Sequence, residues 1–150
     1  MALTTGQKDG DISGCVEMTI RYFGYHRFNS GKMGLSFDYT GASDENLIGK
    51  DITLNGNDST STSNVLYVDK VQLSCGSCGP VAIFDGSAGA EPIVALAASD
   101  VSGVTSNEAS WDFGGDPLVC LTGDTTQSLC VSSAANGHIA GFIKCHWGPA

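Results

Sequence analysis

The segment Cys75-Gly76-Ser77-Cys78 is the sharpest chemical pattern in the chain. Two thiols at this spacing could form the centre of a thiol oxidoreductase or one half of a zinc site. The redox centre requires a helix N-terminus to lower the pKa of its first thiol, whereas strand-like sequences flank this motif on both sides. A structural zinc site needs four ligands, and a second thiol pair at this spacing is missing from the sequence. We therefore expect a turn between strands, with a thiol oxidoreductase using Cys75 and Cys78 as a weaker alternative.

The three histidines do not predict a catalytic or metal site. His138 and His146 share one face of an extended strand, but their spacing places them about 26 Å apart, too far to share a metal ion. The sequence has no Gly-x-Ser-x-Gly segment that would supply a serine nucleophile. We expect these two histidines and His26 to lie at surfaces or interfaces.

Two loops have residue types suited to cations or phosphate. The segment 55–58 offers oxygen ligands, but it lacks the spacing and the closing glutamate of a calcium loop; a calcium ion bound there remains an alternative. The segment 24–32 lacks the glycine spacing and the Ser or Thr of a phosphate loop.

We expect no catalytic residues, no metal and no cofactor, and therefore a protein that is not an enzyme.

The overall charge limits the classes of partner. The 150 residues include 16 acidic and 7 basic side chains, which give a net charge of −9. A negative surface repels phosphate backbones and anionic lipids, so we expect neither nucleic acid nor membrane as a partner. No apolar run approaches the roughly 20 residues of a membrane helix. The polar first residues lack the apolar core of a secretory signal, which predicts a cytoplasmic origin.

The six cysteines leave two interpretations open. In a cytoplasm they would remain thiols and pack as small apolar side chains. Alternatively, Cys120 and Cys130 could face each other across a hairpin and form a disulfide if the protein leaves the cell.

Strand-like alternation dominates the chain from residue 14 onward. Its clearest example is 139–147, where Ile139, Ile143 and Trp147 fall on one face of an extended strand and Phe142 on the other. Short alternating segments separated by Gly- and Asp-rich turns predict an antiparallel β-sandwich or barrel. We expect one all-β domain over 14–150, preceded by a flexible N-terminal arm over 1–13 that is too polar to order alone.

Some local predictions are more specific. The strand 65–73 should pair with 80–85 in a hairpin that turns at Gly76-Ser77. Segments 44–49 and 91–99 could be brief helices, and a strand is expected over 48–54.

The segment 22–28 contains four aromatic residues and an arginine in a weakly charged chain. We expect a loop over 24–32. Aromatic residues and Arg are enriched at protein interfaces, which makes Tyr25, His26, Arg27 and Phe28 candidates for an interface. Packing of most of these side chains in the core is the alternative.

The half of the chain from about 69 to 147 resembles small β-sandwich proteins of tailed-phage virions, namely head decoration (cement) proteins and related tail or fibre modules. The segments that carry the resemblance are 70–73, 81–86, 117–121 and 137–148, through their hydrophobic alternation and glycine placement.

The resemblance implies a jelly-roll-like sandwich, commonly trimeric, that binds a major capsid protein and stabilises the capsid. It therefore predicts a virion protein assembled in the host cytoplasm, with itself and the capsid protein as partners. A carbohydrate-binding or receptor-binding module of a tail or fibre is the alternative, for which Trp111 or Tyr25 could supply an exposed aromatic.

Overall fold

The computed structural model describes residues 21–40, 45–49, 64–76, 80–86, 92–96, 106–123, 127–133 and 138–150. These residues form ten strands and no helix, which confirms the all-β prediction. The predicted flexible arm, the possible calcium loop at 55–58, Cys15 and Cys78 lie outside the described residues. Within the described ranges, no helix is long and apolar enough to span a bilayer.

The strands, in chain order, are β1 (Arg21–Arg27), β2 (Met33–Thr40), β3 (Glu45–Gly49), β4 (Asn64–Gly76), β5 (Val81–Asp85), β6 (Pro92–Leu96), β7 (Ser106–Asp112), β8 (Leu118–Cys120), β9 (Ser128–Ser133) and β10 (His138–Pro149). Strands β3 and β6 occupy the described parts of the segments 44–49 and 91–99, for which brief helices were possible. Strand β3 includes 48–49 of the strand predicted over 48–54, and 50–54 lie outside the described residues.

The strands form two antiparallel sheets. Sheet A has the order β1-β2-β10-β4-β7, with β8 also paired to β4, and sheet B has the order β3-β9-β5-β6. The pairing is nested along the chain: β2 pairs with β10, β3 with β9, β4 with β7, and β5 with β6. This is the pattern of one long hairpin rolled into two sheets, the jelly-roll arrangement. The predicted jelly-roll-like sandwich is therefore confirmed.

The two sheets share one apolar core. On β10, Ile139, Ile143, Cys145 and Trp147 are at most 5% exposed, as the alternation predicted. They pack in a cluster that includes Val71 of sheet A and buried residues of β3, β5, β6 and β9 in sheet B. Burying apolar side chains between two sheets is the main source of stability in such a sandwich.

The predicted hairpin between 65–73 and 80–85 is wrong. Strand β4 lies in sheet A between β10 and β7, whereas β5 lies in sheet B between β9 and β6. Val71 and Leu73 on β4, like Val81 and Ile83 on β5, are fully buried. The two strands therefore contribute to opposite walls of the core, and the chain crosses between the sheets after Gly76.

The predicted loop over 24–32 is also shorter than expected. Strand β1 continues to Arg27, which pairs with Met33 of β2. The turn that follows is closed by hydrogen bonds from Phe28 N to Lys32 O (2.8 Å) and from Gly31 N to Phe28 O (2.9 Å). Gly31 has a φ of 87°, a left-handed conformation that favours glycine. The loop is short because pairing with β2 satisfies the backbone groups of 24–27.

Leu121, which follows β8, has a φ of 56° and a fully buried side chain. The left-handed region is unfavourable for a residue with a branched side chain. Its amide donates to Oδ1 of Asp85 at the end of β5, at 2.8 Å. This contact ties the two sheets together at that end of the sandwich.

Candidate functional site

Strand β4 contains a β-bulge at Asp69, which interrupts the regular pairing of β4 with β10. Lys70 pairs with Lys144 and Val68 pairs with Cys145, so Asp69 is an extra residue with no partner position on β10. The buried positions of β4 change from 66 and 68 before the bulge to 71 and 73 after it. Bulges redirect side chains in this way, and Asp69, at 4% exposed, is the one buried charged residue of the described ranges.

Two side chains from other elements hold this carboxylate. Lys32 Nζ, from the turn after β1, lies 2.7 Å from Oδ1 of Asp69. His146 Nδ1, from β10, lies 2.9 Å from Oδ2. The side chains of Lys32 and His146 are 34% and 26% exposed, whereas that of Asp69 is 5% exposed. The cluster therefore joins β4, β10 and the turn between β1 and β2 through one buried anion, which is paired as the burial of a charge requires.

Tyr67 covers His146 from the neighbouring strand. The two residues are direct partners across β4 and β10. Their rings are stacked with centroids 5.1 Å apart and planes at 17°. The hydroxyl of Tyr67 donates to the carbonyl of Pro149 at 2.6 Å, which fixes the ring against the end of β10.

An aromatic and basic surface lies beside this cluster, on the face of sheet A that points away from the core, here called the outer face. The ammonium of Lys144 lies 4.4 Å from the ring centroid of Phe28, within the range of a cation–π contact. A Cβ added to Gly34 would come within 2.8 Å of the Phe142 ring and 3.0 Å of the Phe28 ring. Glycine at position 34 is therefore what allows both rings to lie on the β2 backbone.

A shallow depression of about 230 Å³ adjoins Phe142 on this face. Its lining combines polar and apolar side chains from three strands, namely Ser36, Gln72, Ser74, Ala140, Gly141 and Phe142. Next to it, Lys70 and Lys144 face each other directly across β4 and β10. Like charges in this position are unfavourable, and among the described side chains neither forms an ion pair. The outer face can therefore accept a polar partner.

The Asp69–His146 pair has the geometry of a carboxylate that orients an imidazole for proton transfer. However, the other oxygen of Asp69 binds Lys32, and Tyr67 stacks on the imidazole. In the described part of the chain, the polar contact of His146 is with Asp69, and no serine or cysteine donates to it. The contacts are those of a cluster that stabilises the sheet.

The buried thiols are poorly suited to nucleophilic chemistry. Burial raises the pKa of Cys120 to about 12, and the nearby carboxylate of Asp85 adds to the increase. Burial likewise raises the pKa of Cys145, with smaller contributions from Asp69 and Cys120. Cys75 is 3% exposed within the core. A thiol that keeps its proton at neutral pH is a weak nucleophile. In the ranges that the structure describes, no three His, Cys, Asp or Glu side chains converge as metal ligands.

The hairpin expected to bring Cys120 and Cys130 together is absent. Cys120 lies on β8 of sheet A, whereas Cys130 lies on β9 of sheet B, paired with β3 and β5. The structure has both as buried thiols, not joined by a disulfide. The Sγ of Cys130 donates to the carbonyl oxygen of the next residue, Val131, at 3.6 Å.

The predicted interface residues are brought to one end of sheet A. Tyr25, His26 and Arg27 occupy the last three positions of β1, and Phe28 begins the turn. Phe28 is half-buried and carries the Lys144 contact. The sequence missed the Lys32–Asp69–His146 cluster. Its signal was the three-residue step between the apolar positions Val68 and Val71, which breaks an otherwise even alternation and indicates a bulge.

Comparisons with known proteins assign no family to this chain. No family model matches it, and no curated protein matches it. Among solved structures, a chain of a structure titled "nora virus structure" aligns over 93% of this chain with 8% identity and a TM-score of 0.41. The alignment spans 64% of that chain, less than two thirds of its length. Similarity of this size carries no argument about function.

Proposed function

We propose that this chain is a non-enzymatic structural protein of a virion, which decorates and stabilises a phage capsid as a homotrimer. The observation that carries the proposal is the outer face of sheet A. There, Phe28, Phe142 and the opposed lysines Lys70 and Lys144 form a surface suited to a protein contact. The resemblance of the sequence to head decoration proteins supplies the identity of the partner, a major capsid protein.

Two further features support a structural role. The jelly-roll arrangement is common among viral capsid domains, although it also occurs in lectins and enzymes and is by itself a fold-level analogy. The buried titratable groups named above act within the fold: Asp69 joins β4 to β10, and the thiols of Cys120 and Cys145 are buried with raised pKa values.

Binding to undecorated heads tests the proposal. The purified chain, and the double variant Phe28→Ala with Lys144→Ala, are mixed with heads that lack decoration, and the bound fraction is measured by sedimentation. We expect the native chain to bind and the variant to bind at least about tenfold more weakly, since aromatic anchors are frequent hot spots.

Val119→Ser provides the matched control, because Val119 lies on β8 of the same sheet and is already 52% exposed. It should bind like the native chain, and all three proteins should retain their β circular dichroism. No binding by the native chain, or equal binding by the double variant, would contradict the proposal.

A carbohydrate-binding or receptor-binding module is the second candidate. The depression at Phe142 favours it, because an aromatic ring beside Gln72, Ser36 and Ser74 combines a stacking surface with hydrogen-bonding groups. A glycan array with the isolated chain tests this candidate. Specific binding that is lost in Gln72→Ala and kept in Val119→Ser would favour it over the capsid role.

A further inference from the structure

The register of sheet A brings an amine, a carboxylate and an imidazole to one place. The residue after Lys32 and the residue before Asp69 both pair with Cys145, which directly precedes His146. Strand β10, which contains His146, lies between β2 and β4. The three side chains therefore meet although they come from distant parts of the chain.

The amine of Lys32 lies close to the carboxyl carbon of Asp69. Its Nζ is 2.7 Å from Oδ1. Because one C–O bond of about 1.2 Å separates Oδ1 from Cγ, Nζ lies within about 4 Å of Cγ. Reacting atoms in a near-attack geometry are about 3–3.5 Å apart, so a movement of about 0.5 Å is sufficient for attack. The side chain of Lys32 is 34% exposed, which leaves it free to make that movement.

The burial of Asp69 favours the uncharged forms that such an attack requires. Its side chain is 5% exposed, and Asp69 is the one buried charged residue of the described ranges. A buried ion pair has a large desolvation cost. Transfer of one proton from the ammonium to the carboxylate gives an amine and a carboxylic acid, and an amide formed from them has no charge to bury.

His146 is placed to carry protons to the second oxygen of the carboxyl group. Its Nδ1 lies 2.9 Å from Oδ2 of Asp69. The ring is stacked on Tyr67, whose hydroxyl is in turn bonded to the carbonyl of Pro149, so the imidazole is fixed in orientation. An imidazole can accept and donate protons near neutral pH.

We propose that Lys32 and Asp69 become joined by an isopeptide bond, an amide between the two side chains. Nζ attacks Cγ and forms the new N–C bond. Two protons of the ammonium pass to Oδ2, the second through His146, and the Cγ–Oδ2 bond breaks to release one water. The imidazole ends in its starting state, and the ion pair supplies every atom of the amide and of the water.

The bond ties the turn between β1 and β2 to strand β4 across β10. It makes permanent a contact that otherwise depends on one partly exposed ion pair. The inference goes beyond the proposed function and does not depend on it, because a chain that fails to bind undecorated heads can still contain the bond.

The mass of the native chain tests the inference directly. We expect the denatured intact protein to be lighter than its sequence by one water, about 18 Da. Trypsin should then yield peptide 28–50, uncleaved after Lys32, joined to peptide 51–70, which contains Asp69. A native chain that keeps the mass of its sequence after prolonged incubation at neutral pH, or that yields peptides 28–32 and 51–70 unjoined, would overturn the inference.

Lys32→Arg is the matched control, because it keeps a positive charge beside Asp69 but offers no amine for the amide. It should have the mass of its sequence and no joined peptides. The control matters because the two Asp-Gly sequences, Asp9-Gly10 and Asp85-Gly86, can also lose water by forming a succinimide. Loss of water by Lys32→Arg to the same extent as by the native chain, without joined peptides in either, would overturn the inference. If Lys32→Arg does not fold, the joined peptide of the native chain decides alone.

His146→Ala tests the proton carrier. The joined fraction should form at least about 100-fold more slowly than in the native chain, the usual size of a general acid–base contribution. Imidazole added to the buffer should increase the rate, since position 146 is partly exposed; a purely structural role of His146 predicts no such increase. A rate that neither falls in His146→Ala nor responds to imidazole would overturn the role assigned to His146.

Discussion

Leu121 and Asp85 are joined by a hydrogen bond from the Leu121 amide to the Asp85 carboxylate at 2.8 Å, and this bond links the two sheets. The same carboxylate supports a buried residue whose backbone has a φ of 56°. Because the side chain of Leu121 is fully buried, its unusual conformation is maintained by packing and by this one acceptor.

Asp85→Ala should therefore lower the free energy of unfolding by about 1–3 kcal/mol, since it leaves the Leu121 amide without its acceptor. Asp85→Asn keeps an oxygen at that place and should cost less. Urea denaturation monitored by circular dichroism measures both. Equal losses in the two variants would show that the charge of Asp85, rather than its position as an acceptor, is what stabilises this end of the sandwich.

A second prediction concerns the contacts of Asp69. Asp69→Asn removes the charge that compensates Lys32 Nζ and alters the hydrogen-bond contact with His146 Nδ1. We expect a loss of about 2 kcal/mol in unfolding free energy, below the values for fully buried pairs because both partners are partly exposed. Asp116→Asn, at an exposed position, serves as the control and should stay within about 0.5 kcal/mol of the native chain. A stable Asp69→Asn variant would contradict the assigned role.

Gly141 tests the packing of the core. A Cβ at this position would lie 2.5 Å from Cζ of Phe37 and 2.9 Å from the backbone oxygen of Gln72. Gly141→Ala should destabilise the fold by about 1–3 kcal/mol, because neither the packed ring nor the strand can move freely. Gly115→Ala is the matched control, since nothing lies within 4 Å of its added Cβ. The melting temperature of Gly141→Ala should be clearly lower than that of Gly115→Ala. Equal melting temperatures would contradict the close packing around Gly141.

The buried thiols predict a loss of stability at alkaline pH. The pKa of Cys120 is raised from 9.0 to about 12, and that of Cys145 is also raised. The folded chain therefore holds these protons while the unfolded chain begins to release them above pH 9. Their contribution to stability is complete below pH 9 and decreases between about pH 9 and 12, by at most about 1.4 kcal/mol per pH unit for each thiol.

Urea titrations at pH 8, 9, 10 and 10.5 measure this dependence. Cys120→Ala should be less stable at every pH because of the cavity it creates, but its stability should fall less steeply above pH 9. Parallel curves for the native and variant proteins would show that the thiol does not contribute. In the folded protein at pH 8, both thiols should also react with iodoacetamide much more slowly than in urea.

The positions of the strands were predicted from the sequence more accurately than the pairing between strands. The alternation of Ile139, Ile143 and Trp147 identified β10 and its buried face, because side-chain direction is a local property. The pairing of β4 was predicted wrongly, because a Gly-rich turn between two apolar strands has the same local pattern whether the chain returns to the same sheet or crosses to the other. Cys120 and Cys130 were placed on one hairpin for the same reason.

The Asp69 cluster shows a second limit of prediction from sequence, which concerns contacts between residues far apart along the chain. Lys32, Asp69 and His146 are separated by 37 and 77 residues along the chain, and only the sheet register brings them together. The broken alternation near Val68 indicated a bulge, but no local pattern identifies the partners that a bulged residue will meet.

The place of β10 in sheet A has a consequence for synthesis. Cys145 aligns with Met33 on one side and with Val68 on the other, so β10 lies between β2 and β4, which do not pair with each other. On the ribosome, β2 and β4 must therefore wait, with unpaired edges, until β10 has left the exit tunnel. Such non-local pairing is slow to form and exposes edges to aggregation. We expect nascent chains that stop before residue 138 to depend on chaperones and to fail to acquire protease resistance.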